Sequence, residues 1–267
     1  MDTLLEYIEK SITPSDETEF VVCEEFDLHL FNRLKQDGLM FSKSPPPETL
    51  TYCEFVRVSD YFIIRKVFKP LEWLNPDGSI SFTNSREPIY RRLIPPPTET
   101  IDHTKIISCV IRCDSNANSR NYIEYGVRFA DNFRHVSKLV NFSYGVDIVQ
   151  VPQERLPTNC TFFKQDTITF SSTTLPSLIY HYAFIDADHN HESVLRDFQS
   201  IFRYLQPGGY VFLHDTYPCE ESFLSPQGSF DCYKTPIAIK QLYPDIQLLN
   251  LPLNPGLCIV HKKIQPV

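Results

Sequence analysis

Two stretches of the sequence place carboxylates and imidazoles directly after apolar runs. FIDADHNH contains Asp186 and His189, and VFLHDT contains His214 and Asp215. If the apolar runs are neighbouring parallel strands, which lie about 4.8 Å apart, Asp186 and Asp215 can share one hard cation. Oxygen ligands favour Mg²⁺ or Mn²⁺ over Zn²⁺. Without a cation, two carboxylates buried this close together would need a raised pKa, because like charges repel each other.

The histidines near Asp186 leave two interpretations open. His189 and His191 could act on a ligand at this strand end, or they could cap or pack against the helix that follows. Asp188 lies beside them and adds another acid to the same stretch.

Three further acids end three earlier apolar runs. Glu124 is followed by Gly126, and a strand that ends in an acid and a glycine can bring backbone N–H groups close to a ligand. Asp147 ends the next run, where a carboxylate can accept both hydroxyls of a ribose, and Asp166 could accept a hydrogen bond from an exocyclic amine. The alternative is that these acids are helix N-caps or exposed loop charges.

These side chains must be positioned by elements that alternate from about residue 106. The candidate strands are RNYIEYGV, FSYGVDIV, CTFFKQDT, HYAFIDAD and YVFLHDT. In the clearest helix, HESVLRDFQSIFRYL, apolar residues follow a period of 3.6; Asn190 can cap its start, and Pro207-Gly208-Gly209 ends it. This alternation predicts a buried parallel sheet with helices on both faces, and such sheets bind ligands beyond the carboxyl ends of their strands.

The C-terminal segment departs from this alternation. KTPIAIKQLY is typical of a helix, and it precedes two candidate strands, IQLLNLP and LCIVHK, which only LNPG connects. So short a link cannot form a crossover. The final strand is therefore predicted to run antiparallel to its predecessor.

Residues 1–105 are predicted to form an N-terminal extension, and residues 106–267 the main domain. Two proline triplets, at 45–47 and 95–97, interrupt helices and strands. Between them, TYCEFVRVSDYFIIRKVF and SISFTNSREPIYRRLI are aromatic and β-branched, with the turn signal NPDG between the two, which predicts a small β-rich segment. Upstream, FDLHLFNRLKQDG predicts one short helix.

Composition limits the function classes. The chain has 267 residues and a net charge of −8, so no overall positive field favours nucleic acid as a partner. No run approaches the roughly 18 apolar residues of a membrane-spanning helix, and MDTLLEYIEK lacks the features of a signal peptide. We therefore expect a cytoplasmic protein without a membrane partner, whose eight cysteines are free thiols. Homo-oligomer formation is left open.

Residues 119–262 resemble the class I S-adenosylmethionine (SAM)-dependent methyltransferases, in particular the branch of the macrocin-type sugar O-methyltransferases and cephalosporin-hydroxylase-like proteins. The string FIDADHNHESVLRDFQSIFRYLQPGGYVFLHDT carries the most specific part: an acid-rich fourth strand, a capped helix, Pro-Gly-Gly, and a fifth strand ending in an acid. The resemblance implies an α/β, Rossmann-like, seven-stranded, mostly parallel sheet whose last strand is antiparallel.

The resemblance also implies which residues bind SAM. Glu124 and Gly126 would line the methionine and ribose end of the cofactor, Asp147 would hold the ribose hydroxyls, and Asp166 would meet the adenine. Asp186 is predicted to contact the cofactor and also to bind the metal.

The remaining implied roles concern the reaction. In macrocin-type enzymes a metal ligand stands at the position of Asp186, a histidine base at that of His189, and paired metal ligands at those of His214 and Asp215. His214 replaces an acidic residue of the family, and an imidazole there could leave the metal or change the metal preference. The predicted function is a SAM-dependent, Mg²⁺- or Mn²⁺-assisted O-methyltransferase acting on a hydroxylated small molecule, with a sugar or glycan precursor as the favoured acceptor.

An altered first loop supports an alternative. The family usually has another glycine after Gly126, whereas this chain has Ala130 and Asp131 in that neighbourhood. Ala130 would be strained if the loop needs a left-handed residue there. The alternative is a methyltransferase-like protein that has lost catalysis and serves as a binding or scaffolding subunit.

Overall fold

A computed structural model describes residues 20–34, 38–47, 50, 53–66, 102–217, 221–225, 228–251 and 255–264. The strands of these residues are β1 (Phe20–Cys23), β2 (Leu39–Ser42), β3 (Cys53–Val58), β4 (Tyr61–Lys66), β5 (Asn121–Tyr125), β6 (Phe142–Asp147), β7 (Cys160–Lys164), β8 (Tyr182–Ile185), β9 (Tyr210–His214), β10 (Gln247–Leu251) and β11 (Leu257–His261). The α-helices are α1 (Leu28–Arg33), α2 (His103–Arg112), α3 (Asp131–Ser137), α4 (Thr167–Thr173), α5 (His191–Tyr204) and α6 (Lys234–Leu242).

The strands form one sheet in the order β1-β2-β4-β3-β10-β11-β9-β8-β5-β6-β7. Strands β5 to β9 are parallel to their neighbours among themselves, as predicted. Strand β11 lies antiparallel between β9 and β10, which confirms the prediction from the short connecting link. The five predicted strands that end in acids all form, and their carboxyl ends lie at one edge of the sheet.

The sheet is wider than the seven strands predicted. Strands β1 to β4 of the N-terminal extension continue it, because β3 pairs antiparallel with β10. All five residues of β10 are buried, and without β3 this apolar strand would be an open edge. The extension is thus continuous with the main sheet. A boundary between residues 105 and 106 would fall inside α2.

Helices cover both faces of the sheet, as predicted. Apolar residues of α2 and α3 pack in one buried cluster, and those of α4, α5 and α6 pack in another on the opposite face. The predicted helix within residues 26–38 is the shorter α1. The predicted strand SISFTNSREPIYRRLI and its turn NPDG lie outside the described residues. Among the helices that are described, none has the length and apolar character to cross a membrane.

Helix α5 begins where the sequence predicts. The Asn190 side chain accepts hydrogen bonds from the backbone N–H groups of Glu192 and Ser193. This cap fixes the point at which the chain leaves β8 and enters α5. The short link that holds Asp186 and His189 is therefore anchored at both ends.

Candidate functional site

Four side chains meet at the carboxyl ends of β8 and β9. These strands are neighbours, with Ile185 opposite Leu213, so the residues that follow them are brought side by side. His214 Nδ1 lies 3.3 Å from Asp186 Oδ1 and 3.2 Å from Asp215 Oδ2. His189 Nε2 lies 3.1 Å from Asp215 Oδ2 and 3.8 Å from Asp186 Oδ1. The predicted metal-binding residues are thus in contact with each other and with the predicted base.

The donor atoms fit a divalent cation. One ligand atom each from Asp186, His189 and Asp215 lies within 4.8 Å of the others. Two carboxylates and an imidazole are a donor set that suits Mn²⁺ and, less well, Mg²⁺. His214 Nδ1 also faces both carboxylates, so either histidine could complete the set.

The orientation of His189 is set by residues that the sequence did not point to. Its Nδ1 lies 2.5 Å from the Gly228 carbonyl oxygen, which can only accept a hydrogen bond. The proton therefore sits on Nδ1, and Nε2 carries the lone pair when the ring is neutral. The next residue, Ser229, donates its hydroxyl to Asp215 Oδ1 at 2.7 Å and is fully buried. One short loop thus holds both His189 and Asp215.

Charge balance in the cluster favours protonated imidazoles. The interaction with Asp186 is the main cause that raises the pKa of His189 to about 9, and Asp215 adds to it. Burial opposes protonation of His214, but hydrogen bonds with Asp186 and Asp215 outweigh burial and raise its pKa to about 10. Burial would raise the pKa of Asp186, yet hydrogen bonds with the two histidines lower it. The histidines thus supply the positive charge that stabilises both carboxylates.

Asp215 has a left-handed backbone. Its φ is +60°, a left-handed conformation that residues other than glycine, asparagine and aspartate rarely adopt, and it is 6% exposed. Such conformations persist where surrounding contacts impose them, and they cluster at functional sites. The contacts that impose it on Asp215 include the Ser229 hydrogen bond.

A further imidazole lies beside this cluster. His103, the first residue of α2, stacks on Phe184 with ring centroids 5.5 Å apart, and it packs edge-to-face with His214 with ring centroids 4.4 Å apart. Sequence reasoning missed it, because a single histidine before an apolar helix has no distinctive spacing. Its packing against Phe184 fixes one side of the His214 ring.

Two backbone N–H groups hold the Asp147 carboxylate at the end of β6. Its Oδ2 accepts a hydrogen bond from Arg128 N at 2.7 Å, and its Oδ1 accepts one from Val149 N at 2.8 Å. A carboxylate has about four lone-pair sites, so two remain for the hydroxyls of a ribose. The adjacent Ile148 and Val149 are 69% and 64% exposed and offer an apolar surface beside the carboxylate. The ribose-binding role of Asp147 remains a prediction.

Glu124 lies deeper than a residue that only lines a ligand. It is 2% exposed, and its Oε2 accepts hydrogen bonds from the Tyr122 hydroxyl and, at 2.7 Å, from Asn132 Nδ2. Burial raises its pKa to about 8 despite these two donors. Its contacts therefore tie β5 to the start of α3.

Gly126 and Asp166 occupy turns at the same edge. Gly126 has φ +86°, and a Cβ there would lie 2.1 Å from the Asp186 carbonyl oxygen, so only glycine fits. Asp166 caps α4 by accepting a hydrogen bond from Thr169 N at 2.8 Å. Asp166 is thus a helix N-cap, one of the two alternatives that the sequence left open. Because the residue is exposed, its carboxylate can also contact a ligand. Their predicted roles toward SAM remain predictions.

The first loop does need a left-handed residue at Ala130. Its φ is +64°, the side chain is fully buried, and α3 starts at the next residue, Asp131. Left-handed backbone costs an alanine roughly 1–2 kcal/mol. The strain considered from the sequence is therefore present in the folded chain.

The connection after β9 contains aromatic residues that the sequence offers as candidates for an acceptor wall, with hydrophobic packing under the loop as the alternative. These residues differ in exposure. Tyr217 is 8% exposed and packs against Arg65, which is the packing alternative. Phe223, Phe230 and Tyr233 are partly exposed. These three residues remain candidates for contact with an acceptor.

Comparisons with known proteins agree with this architecture. Residues 100–216, less than half of the chain, match the family model described as a methyltransferase domain. This segment is therefore similar to a methyltransferase domain. The methyltransferase class that the resemblance implies is confirmed at that level, whereas the macrocin-type branch remains a prediction. The comparison with curated proteins gives no match.

Solved structures with similar folds include O-methyltransferases. A protein from Klebsiella pneumoniae described as an O-methyltransferase is 14% identical over 63% of this chain and 84% of that chain, with a TM-score of 0.49. TomG from Streptomyces achromogenes, in complex with SAM, is 11% identical over 64% and 84%, with a TM-score of 0.48. MycE of the mycinamycin pathway, in complex with Mg and SAH, is 15% identical over 55% and 46%, with a TM-score of 0.43. Similarities of this size carry no argument about activity.

Proposed function

We propose that this chain is a SAM-dependent O-methyltransferase that is assisted by a divalent cation. Its acceptor is a hydroxylated small molecule, with a sugar or glycan precursor as the favoured class. The observation that carries the proposal is the meeting of Asp186, His189 and Asp215 at the carboxyl ends of neighbouring strands, with donor atoms within 4.8 Å of one another. Asp147 supports it, because its carboxylate is held at the same sheet edge by two backbone N–H groups.

The cofactor would lie over the tips of β5, β6 and β7. Asp147 would hold the ribose hydroxyls, Asp166 would meet the adenine amine, and the turn at Gly126 would bring the backbone close to the ribose and methionine. Glu124 would stabilise this turn, because it accepts a hydrogen bond from Asn132 in the helix that follows the turn. When bound, SAM supplies a sulfonium methyl group that is transferred by direct displacement, so this protein needs only to align the reacting atoms and remove a proton.

The cation would be held by Asp186 and Asp215, with His214 as the nitrogen ligand, which leaves His189 to act as the base. When bound, Mg²⁺ or Mn²⁺ offsets the two negative charges and lowers the pKa of an acceptor hydroxyl. His214 lies between the two carboxylates, with its Nδ1 3.3 Å from Asp186 and 3.2 Å from Asp215. The buried Ser229 hydroxyl leaves only one oxygen of Asp215 facing the other side chains.

His189 is the base in this proposal. A cation held by Asp186 and Asp215 would offset the carboxylate charges that raise the pKa of His189 to about 9, so the ring would be neutral before the reaction. The Gly228 carbonyl retains the proton on Nδ1, so Nε2 is the atom that receives the proton of the acceptor hydroxyl. Nε2 faces Asp215 at 3.1 Å, and this carboxylate stabilises the imidazolium that forms. His189 is partly exposed, with 36% of its side chain accessible, so an acceptor can reach it.

Calorimetric titration with S-adenosylhomocysteine (SAH) and with MnCl₂ tests both halves of the proposal. Asp215→Asn preserves size but removes the charge, so it should weaken Mn²⁺ binding at least about 100-fold while SAH affinity stays within about twofold. The matched control is Asp188→Asn, since Asp188 is an exposed acid of the same stretch. Methyl transfer from labelled SAM to a panel of sugars and other hydroxylated molecules then identifies the acceptor class.

Two results would contradict the proposal in different ways. If SAH fails to bind at millimolar concentration, the enzyme assignment is removed. If Asp215→Asn binds Mn²⁺ as tightly as the unchanged protein, the cation assignment is removed and the enzyme assignment stands.

The second candidate function is a methyltransferase-like binding or scaffolding subunit without catalysis. The strained Ala130 favours it, since a loop that no longer receives a cofactor has less need for a glycine at a left-handed position. SAH binding decides between the candidates. A protein that binds SAH tightly is assigned to the enzyme class.

A further inference from the structure

We infer that the Glu54–Arg65 pair of the N-terminal strands positions the segment that carries Asp215. Residues outside the matched methyltransferase domain would then help to shape its cation site. This inference rests on the proposed function, because the cation role of Asp215 is assigned there. Glu54 and Arg65 are positioning residues in this account, since neither contacts the reacting groups.

The pair contacts the backbone of Asn250 on both of its polar groups. Glu54 and Arg65 face each other across β3 and β4, with Arg65 Nη2 3.3 Å from Glu54 Oε2. The same Glu54 oxygen accepts a hydrogen bond from Asn250 N at 3.0 Å, and Arg65 Nη1 donates to Asn250 O at 2.5 Å. Both backbone polar groups of one β10 residue are thus bonded, by an acid on β3 and an arginine on β4.

Asn250 passes this constraint to the residue after Asp215. Its Oδ1 accepts a hydrogen bond from Thr216 Oγ1 at 2.7 Å, and its Nδ2 donates to Thr216 O at 3.0 Å. Asn250 and Thr216 are 7% and 1% exposed, so water hardly competes for these bonds. The connection reaches past the end of β11 from β10 to the chain that leaves β9.

Tyr217 is held by the same arginine and by a second chain segment. The Arg65 guanidinium carbon lies 5.4 Å from the Tyr217 ring centroid, in cation–π range. Tyr217 N donates to Pro255 O at 3.0 Å. A Cβ on Gly256 would lie 2.1 Å from Tyr217 N, so the two backbones touch. Both residues after Asp215 therefore have a fixed position.

This fixed position matters because Asp215 has a left-handed backbone. Aspartate adopts this conformation less readily than glycine, so contacts on either side of the residue help to hold it. Upstream, Asp215 follows the buried strand β9, and downstream Thr216 and Tyr217 are held as described. The direction of the carboxylate follows from the backbone, so the downstream contacts help to aim it at Asp186 and His189.

A purely stabilising role explains the pair less well. Arg65 is 5% exposed, and removing a guanidinium from water is costly. Apolar residues of similar volume often stabilise a core as well as a buried ion pair does. An arginine that donates to one fixed carbonyl and covers one fixed ring instead provides directional contacts.

The test compares Arg65→Lys with Arg57→Lys. Lysine keeps the charge of residue 65 but cannot donate to Asn250 and face Glu54 and Tyr217 in the same geometry. Arg57 is an exposed arginine of the same hairpin whose Nε donates to the carbonyl of its own turn at Ser59. In Arg65→Lys we expect about tenfold weaker Mn²⁺ binding, SAH affinity within about twofold, and faster amide hydrogen exchange in residues 211–217. Arg57→Lys should match the unchanged protein in all three measurements.

A second pair of variants probes the same connection closer to the site. Thr216→Ser keeps the hydroxyl that bonds Asn250, whereas Thr216→Val has nearly the same shape without it. Thr216→Val should reproduce the loss of Mn²⁺ affinity, and Thr216→Ser should retain the affinity of the unchanged protein. This contrast separates the hydrogen bond from the packing volume.

The outcomes separate this inference from the proposed function. If Arg65→Lys lowers only the melting temperature, with Mn²⁺ affinity and amide exchange below that temperature unchanged, the pair is merely structural and the inference is overturned. If the unchanged protein binds no Mn²⁺, the proposed cation site is rejected. Amide exchange of residues 211–217 then still decides whether Arg65 holds the segment.

Discussion

The carboxyl edge of the sheet divides into two halves that use the same residue types differently. The cofactor half, at β5 to β7, contains Glu124, Asp147 and Asp166, and the cation half, at β8 and β9, contains Asp186, His189, His214 and Asp215. In the cofactor half the carboxylates are bonded by nearby protein donors, mainly backbone N–H groups. In the cation half they face imidazoles from different strands.

This difference separates two ways of preparing an acid for a ligand. A carboxylate held by backbone N–H groups has a fixed place and needs no counter-charge, so it can receive neutral hydroxyls. Carboxylates that face each other need positive charge between them, which the histidines supply here. The cation half is therefore suited to a metal cation, whereas the cofactor half is suited to a ligand that donates hydrogen bonds from its hydroxyl groups.

The largest expected effect comes from removing the proposed base. His189→Gln should lower methyl transfer at least about 100-fold, because a positioned general base contributes roughly 10²–10⁴-fold. SAH affinity should not change, since His189 lies in the cation half. His191→Gln is the control, as its ring contacts Thr235 on α6 instead of the acids. Equal turnover in both variants would assign the proton transfer to another group.

A second variant tests SAH binding in the cofactor half. Asp147→Asn should weaken SAH binding about tenfold, roughly 1.4 kcal/mol, because a neutral amide accepts more weakly from ribose hydroxyls. Mn²⁺ affinity should remain as in the unchanged protein, the opposite pattern to Asp215→Asn. Calorimetric titration of the two variants with both ligands gives the full comparison. Loss of both affinities in one variant would show that the halves are not independent.

Glu124 is the exception in the cofactor half, because it is buried and its pKa is raised to about 8. The folded protein then binds a proton that the unfolded chain releases above its ordinary pKa near 4.5. Stability from this group is fully present below pH 4.5 and is lost as the pH rises toward 8.

Glu124→Gln removes the titratable carboxyl group. It therefore tests whether Glu124, which is buried whereas Asp147 is partly exposed, is protonated in the folded protein. Between pH 5 and 8, the free energy of unfolding of Glu124→Gln should rise relative to that of the unchanged protein by more than about 1 kcal/mol. Urea unfolding at the two pH values measures the difference. A constant difference would mean that Glu124 is ionised in the folded chain.

The smallest effect is expected at Ala130. Ala130→Gly relieves a left-handed backbone worth roughly 1 kcal/mol but loses a buried methyl group worth about 0.8 kcal/mol, so stability should change by less than about 0.5 kcal/mol. SAH affinity is the informative measurement. A clear gain in SAH affinity would show that the alanine at position 130 weakens cofactor binding. An unchanged affinity would show that the loop binds the cofactor equally well with alanine.

Much of this edge could be predicted from the sequence, because local patterns determine it. The period of 3.6 residues and the cap at Asn190 defined α5, and the four-residue link LNPG required an antiparallel last strand. Acids placed after apolar runs then had to meet at one edge. These features depend on residues that are close in the chain.

The remaining features depend on contacts between distant residues. His189 is oriented by Gly228, 39 positions away, in a loop without a recognisable motif. The pairing of β3 with β10 depends on which edge remains open once the sheet has formed. The left-handed backbone of Asp215 is not encoded by its residue type, since aspartate usually adopts other conformations. Such features follow from the assembled fold.

The pairing of β3 with β10 has a consequence for anyone who shortens this protein. A fragment that begins near Asp102 would retain the segment that matches the family model, but it would present β10 to solvent with its hydrogen-bonding groups on one side unpaired. Exposed apolar edges recruit strands from other molecules, so such a fragment would tend to self-associate and precipitate during purification. A form that keeps β1 to β4, or a shorter form with polar substitutions along β10, is therefore the better choice for crystallisation and kinetics.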